Sequence, residues 1–224
     1  MGYYSEKLAG ARLKRCYEIA PPRVRRYLDS EVRYVVSKIN LEDTVLELGC
    51  GYGRAAFEFA RAARHVVGID TAPESLELAR ELAGPGSNCE FMKMDATRMS
   101  FPDAVFDLTT CIQNGICAFN VDAAALIREA VRVTKPGGTA LFSSYAESFW
   151  PHRLEWFELQ AEEGLLGAID YKQTGNGVIV CRDGFRAGAM GEDEFRVICR
   201  KLGLEPTVTE EDSSSIFFEL SKSL

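Results

Sequence analysis

No two of the seven cysteines stand as a CxxC pair. They fall at 16, 50, 89, 111, 117, 181 and 199, odd in number and scattered. That pattern predicts reduced thiols rather than a zinc site or a disulfide framework, and no bound metal. No apolar run approaches the roughly 20 residues a membrane-spanning helix requires. The polar opening at 1–10 lacks the pattern of an export signal, so the chain is expected in the cytoplasm with no membrane partner. Clustered cations are missing too: 26 Lys and Arg face 33 Asp and Glu, a net charge of −7. Phosphate neutralisation needs such clusters, so no nucleic acid partner is expected. The one basic concentration, with Arg12, Arg23, Arg25, Arg26 and Arg33, is interrupted by Glu18, Asp29 and Glu31 and reads as a solvated helix face. No internal repeat or low-complexity tract is visible.

What is present is an ordinary globular composition, 46% hydrophobic and 26% charged over 224 residues, enough for one sizeable α/β domain spanning 1–224. Residues 3–40 read as two helices separated by Pro21-Pro22, the second at 23–39 with Val24, Leu28, Val32, Val35 and Ile39 on one face. Residues 41–145 alternate strands at 44–48, 65–70, 89–93, 106–110 and 139–143 with helices at 54–63, 73–83 and 122–133. Such alternation implies right-handed βαβ crossovers and a mainly parallel sheet. Residues 146–190 break the rhythm with an aromatic-rich helix at 148–163 and strand-like runs at 168–173 and 178–182, flanking a tight turn at 174–177. A helix at 192–202 and an antiparallel hairpin of strands at 205–210 and 215–221 close the chain.

The densest chemistry lies between the first strand and the helix after it, in Val45-Leu46-Glu47-Leu48-Gly49-Cys50-Gly51-Tyr52-Gly53-Arg54. Glycines there let the backbone turn sharply and approach a ligand closely. Asp70, at the end of the next strand and 21 positions after Gly49, suits the two hydroxyls of a ribose. Asp95-Ala96, just past the third strand, offers a carboxylate for an adenine amino group and a backbone N–H for a ring nitrogen. A lone Gly-x-Gly-x-Gly would be weak; three neighbouring strand ends offering matched groups are not.

These runs resemble the motifs of class I S-adenosylmethionine (SAM)-dependent methyltransferases, of the type 11-like, small-molecule kind. Glu47 to Gly53 is similar to the first motif. Val67-Gly68-Ile69-Asp70, Met94-Asp95-Ala96 and Phe106-Asp107-Leu108 look like the second, third and fourth, and Lys135-Pro136-Gly137-Gly138 like the turn before the fifth strand. The resemblance covers 41–145 and implies a Rossmann-like seven-stranded mixed sheet of order 3-2-1-4-5-7-6, strand 7 antiparallel. Helices would flank it, with a helical cap at 1–40, an insertion at 146–190 and a closing helix and hairpin at 191–224. It implies SAM as cofactor, with Glu47, Gly49 and Gly51 around the methionyl group, Asp70 and Thr71 at the ribose, Asp95 and Ala96 at the adenine, and Gln113 or Asn114 near the sulfonium. A dinucleotide dehydrogenase fits less well, because Arg54 occupies the place of the third fingerprint glycine.

The acceptor is expected to be a small molecule held between the cap and the insertion, with Asn114, Tyr145, Phe149 and Trp156 as candidate contacts and Tyr3, Tyr4 and Tyr17 as lid residues. On the insertion helix, Trp150, Leu154, Phe157 and Ala161 form a packing stripe, while Phe149, Arg153, Trp156 and Gln160 form a second stripe suited to a pocket. No catalytic nucleophile is evident or required. His152 is the candidate general base, and Asp107 reads as structural. Two other readings stay open: a methyltransferase acting on a thiophile such as arsenite through Cys111 and Cys117, and a non-catalytic SAM-binding regulatory module. A monomer or homodimer is expected.

Overall fold

A computed structural model describes residues 3–223; residues 1, 2 and 224 of the expected domain lie outside the described residues. The elements are α1 (Tyr3–Lys7), α2 (Gly10–Glu18), α3 (Pro22–Val36), β1 (Thr44–Leu48), α4 (Arg54–Phe59), β2 (His65–Asp70), α5 (Pro73–Ala83) and β3 (Cys89–Lys93). There follow β4 (Phe106–Cys111), α6 (Gly115–Ala118), α7 (Ala123–Val133), β5 (Thr134–Tyr145), α8 (Trp150–Glu162), β6 (Ile179–Val180), β7 (Arg186–Ala187), α9 (Glu192–Lys201), β8 (Thr207–Glu211) and β9 (Ser215–Ser221). Seven strands form one sheet in the order β3-β2-β1-β4-β5-β9-β8, with β9 antiparallel to both neighbours. Counted along the sheet strands alone, this is the expected 3-2-1-4-5-7-6.

The central strands are mainly apolar because both sheet faces are covered. Successive side chains point to opposite faces. Leu46 and Leu48 pack toward Leu126, Ile127 and Ala130 of α7 and Phe195 of α9. Val45 packs toward Val32 and Val35 of α3, Ala56 and Phe59 of α4 and Leu76 of α5. A third apolar cluster joins the N-terminal helices to residues 146–190 through Cys16, Val24, Leu28, Phe149, Trp156, Phe157 and Phe185. Among the described residues no helix is long and apolar enough to cross a membrane.

Three local expectations need correction. The N-terminal segment forms three helices rather than two, because Gly10 takes a left-handed φ of 54° and donates its N–H to Ser75 Oγ at 2.9 Å. The last of the three also stops at Val36 rather than 39, with Ile39 beyond it. The fifth strand starts at Thr134 rather than 139 and bulges across Lys135-Pro136-Gly137-Gly138. There a Cβ on Gly138 would lie 2.5 Å from the Asp107 carbonyl oxygen. Lys135 Nζ reaches both Asp107 carboxylate oxygens at 2.8 Å, and the Thr44 N–H donates to Oδ2, so Asp107 fastens the far end of the sheet.

In the insertion, the 174–177 turn forms with Asn176 and Gly177 both at positive φ, as a tight hairpin turn requires. Its expected partner run at 168–173 contributes only the Ile169–Cys181 bridge; the two-residue strands β6 and β7 pair instead. Gln173 and Thr174 donate their N–H groups back to the Asp170 carbonyl, which curls 170–174 away from a strand.

Candidate cofactor site and acceptor chamber

β1 and β2 end side by side, and the turn after β1 is bound to its neighbour: the Gly49 and Cys50 N–H groups both donate to the Ile69 carbonyl, at 2.8 and 3.0 Å. Gly49 has φ 72°, and a Cβ there would meet the Phe119 ring at 2.3 Å. At Gly51, φ 53°, it would meet Leu13 Cδ2 at 2.9 Å. With positive φ and no room for a Cβ, both positions favour glycine, and the bare backbone lines the cavity.

Asp70 closes β2 and holds this turn in place. Its Oδ2 accepts the Gly51 N–H and its Oδ1 the Ala72 N–H, both at 2.8 Å. Burial pushes its carboxyl above the usual range, against the pull of these amides. Each oxygen keeps a further lone pair for a diol.

Glu47, the penultimate residue of β1, is 4% exposed, and its Oε2 is buried with no hydrogen-bond partner among the described residues. Burial raises its carboxyl to about 8, against the opposing influence of Arg54. Arg54 opens α4 with its guanidinium 5.0 Å from the Tyr17 ring centroid. Its Nε and Nη2 are likewise buried and unpartnered among the described residues. An unsatisfied acid and an unsatisfied cation in one cavity suit a zwitterion, since leaving either alone costs about 1–3 kcal/mol or more. The sequence reading missed Arg54, seeing in it only a replaced glycine; the signal was a cation directly after the glycine turn.

Past β3, Asp95 Oδ1 accepts both the Thr97 N–H and its hydroxyl, at 2.8 and 2.7 Å. That cap leaves Oδ2 without a protein donor among the described residues. After β4, Gln113 and Asn114 both take positive φ, 55° and 60°. The Gln113 N–H donates to Glu31 Oε2 at 2.8 Å and to Ser143 Oγ at 2.9 Å.

One cavity of about 760 Å³ connects these groups. Glu47, Gly49, Gly51, Asp70, Thr71, Asp95, Ala96 and Gln113 all line it. At the other end it opens into an aromatic chamber under the cap and insertion, lined by Tyr4, Leu8, Cys16, Tyr17, Tyr145, Trp156, Phe157 and Gln160. The Trp156 Nε1–H donates to the Cys16 carbonyl at 2.8 Å, which joins α8 to α2 across the chamber.

Other expected residues lie elsewhere. Asn114 is buried outside the cavity, donating to the Gly188 carbonyl and accepting from the Ser144 hydroxyl, both at 2.9 Å. Phe149 packs in the core against Tyr27, ring centroids 4.9 Å apart. His152 points out from α8 toward Glu155, 3.9 Å away, with its side chain 43% exposed. Tyr3 packs on Phe185 rather than on the lid. The Phe149-Arg153-Trp156-Gln160 stripe is buried throughout, whereas of the Trp150-Leu154-Phe157-Ala161 stripe only Phe157 is; Trp156 and Gln160 of the first and Phe157 of the second border the cavity. Cys111 and Cys117 also lie outside the cavity, with thiols raised by burial, so nothing in the site supports thiophile chemistry through them. Among the described residues no cluster of His, Cys, Asp or Glu is placed to hold a metal ion.

Residues 45–138 match the family model described as a methyltransferase domain. The 2-methyl-6-phytyl-1,4-hydroquinone methyltransferase of a Synechocystis strain is 29% identical over 134 residues, 56% of this chain and 42% of that protein. The 27-O-demethylrifamycin SV methyltransferase of Amycolatopsis mediterranei is 28% identical over 175 residues, 76% of this chain and 57% of that one. The chain thus spans less than half of the first relative and just over half of the second. A crystal structure of a SAM-dependent methyltransferase from Methanosarcina mazei superposes with a TM-score of 0.63 at 22% identity, covering 85% of this chain and 97% of that one, a likeness of fold. The domain match and the sheet order converge: residues 45–138 resemble a methyltransferase domain, and the chain carries the fold of the SAM-dependent methyltransferases.

Proposed function

We propose that this protein transfers the methyl group of SAM to a small organic acceptor held in the aromatic chamber. The observation that carries the reading is the continuous cavity, polar and glycine-lined at the strand tips and aromatic under the cap.

The residues present fit the cofactor. Glu47 and Arg54 would take the ammonium and carboxylate of the methionyl end, each supplying the partner the other group lacks. Asp70, with Thr71 beside it, would accept the ribose hydroxyls. Asp95 Oδ2 and the Ala96 N–H would address the adenine edge, and Gln113 would border the sulfonium. SAM bound there supplies an electrophilic methyl carbon on a positively charged sulfur.

The chain's work is then placement and exclusion of water. Tyr145 and Trp156 form the walls against which the acceptor is oriented. Tyr4 and Tyr17 close the chamber from the cap side. The deciding experiment is calorimetry with SAM and S-adenosylhomocysteine (SAH), followed by SAH formation over a panel of small acceptors. Tight SAM binding without product from any acceptor would favour a regulatory module; absence of SAM binding would end the proposal.

A further inference from the structure

Three polar groups run inward from the acceptor chamber, and none of them is assigned a contact with the cofactor. Tyr145, the last residue of β5, borders the cavity. Tyr27 of α3 lies behind it, ring centroids 5.4 Å apart. Glu31 follows one turn later on the same helix face, an i,i+4 neighbour of Tyr27. The Tyr27 hydroxyl and Glu31 Oε1 are both buried, and among the described residues neither has a hydrogen-bond partner. Buried polar atoms left in this state are uncommon and costly.

Glu31 itself is fully buried. The groups that face it come from five elements: Tyr27 from its own helix, Cys111 and the Gln113 N–H from β4 and its loop, Ser143 and Tyr145 from β5, Ser215 from β9 and Arg54 from α4. Burial pushes the carboxyl up to about 7, although the hydrogen bonds and Arg54 favour its charged form. It therefore exchanges a proton near neutrality, as a proton acceptor must.

We propose that Tyr145 removes the proton from a hydroxyl-bearing acceptor and that Glu31, acting through Tyr27, is where that proton ends. The inference rests on the methyltransferase reading and adds the acceptor's class, an uncharged alcohol or phenol. Tyr4, Leu8, Tyr17, Trp156, Phe157 and Gln160 around the chamber carry no formal charge that would recognise a phosphate or an ammonium. As the acceptor oxygen bonds to the methyl carbon, the electron pair of the broken S–CH3 bond returns to sulfur. The acceptor's proton passes to Tyr145 oxygen, the Tyr145 proton to Tyr27 and the Tyr27 proton to the Glu31 carboxylate, which becomes neutral. Such hydrogen bonds are long before substrate is seated and tighten in the complex.

A purely structural Glu31, needed only to hold the Gln113 N–H, would be replaced without loss by glutamine. In the full chain, Glu31→Gln with phenol and catechol as probe acceptors is expected to lower kcat on the order of a hundredfold or more. KM and SAM affinity should hold, and the acidic limb of the kcat profile near pH 7 should vanish. An unchanged profile, or turnover of amine probes with none of hydroxyl probes, overturns the proposal. Infrared titration needs no acceptor. Two carboxylic acid components are expected, from Glu31 at about pH 7 and Glu47 at about pH 8. The lower is expected to fade as pH rises through neutrality, to be missing from Glu31→Gln but not from Glu47→Gln, and to shift its midpoint in Tyr27→Phe. A midpoint unmoved by Tyr27→Phe breaks the chain of groups and overturns the proposal. Failure of the wild-type protein to bind SAM would instead remove the methyltransferase reading, leaving the infrared result intact.

Discussion

The Tyr17 hydroxyl donates to Gln113 Oε1 at 2.7 Å, tying the N-terminal cap to the loop that follows β4. These residues are 96 positions apart, yet the bond sits where the glycine-lined and aromatic parts of the cavity meet. On the proposed function, it fixes the rim of the methyl-transfer position from the cap side.

Tyr17→Phe removes this bond and keeps the ring on which Arg54 stacks. A hydrogen bond of this kind contributes about 1 kcal/mol, so SAM affinity and acceptor KM should each worsen about fivefold, with the far-ultraviolet spectrum unchanged. Calorimetry and initial rates check both. Equal values in the variant would mean that the cap does not position the rim.

Asp70→Asn leaves one carbonyl to accept a backbone N–H but replaces an acceptor oxygen with a donor. Hydrogen bonds to charged groups contribute about 1.5–3 kcal/mol, so SAM affinity should fall on the order of tenfold to a hundredfold. The glycine turn also loses one of its two anchors, so the melting temperature should drop by a few degrees. Unchanged affinity would reject the ribose assignment.

The raised carboxyl of Glu47 makes a prediction about pH. Its value in the folded protein, about 8, lies above the ordinary 4.5, so the neutral form favours folding. That stabilisation is complete below about 4.5 and is lost as pH rises through about 8. The methionyl ammonium favours the charged form. SAM affinity should therefore rise between pH 6 and 8 while the stability of the free protein falls. Glu47→Gln should flatten the affinity profile, which calorimetry across that range measures directly.

Arg153 is almost wholly buried, with its guanidinium 4.3 Å from the Tyr145 ring centroid. Its Nη groups donate to the carbonyls of Gly177, Ala187 and Gly188 at 2.8–3.0 Å. Arg153→Met removes all three bonds, leaving the Gly188 carbonyl only its Asn114 donor, and should cost about 3–5 kcal/mol, read from urea unfolding. Because Arg153 braces Tyr145, acceptor turnover should fall more than SAM affinity.

The strand tips were legible because strands buried on both faces read as short apolar runs, and an acid ending such a run is conspicuous. Glu47 and Asp70 stand out in this way. Glu31 did not, because it lies among the charges of a helix that reads as a solvated face; only packing against β4, β5 and β9 buries it. Asn114 lies in the loop after β4, but its left-handed backbone turns the side chain toward Ser144 and Gly188 instead of the cavity. On α8, an arginine in the buried stripe obscured which face points inward. Gly10 broke the first helix because of Ser75, a contact 65 positions away.

Apart from Tyr145, the chamber walls come from α1, α2, the short link between them and α8, none of which belongs to the sheet that frames the strand tips. On the proposed function, acceptor specificity can thus diverge while cofactor recognition stays frozen. The Trp156–Cys16 bond and the reach of Arg12 to the Gly164 and Leu165 carbonyls make the two walls interdependent. Grafting a new preference into this scaffold would mean transplanting both as a matched set, since either one alone would arrive without its counterpart.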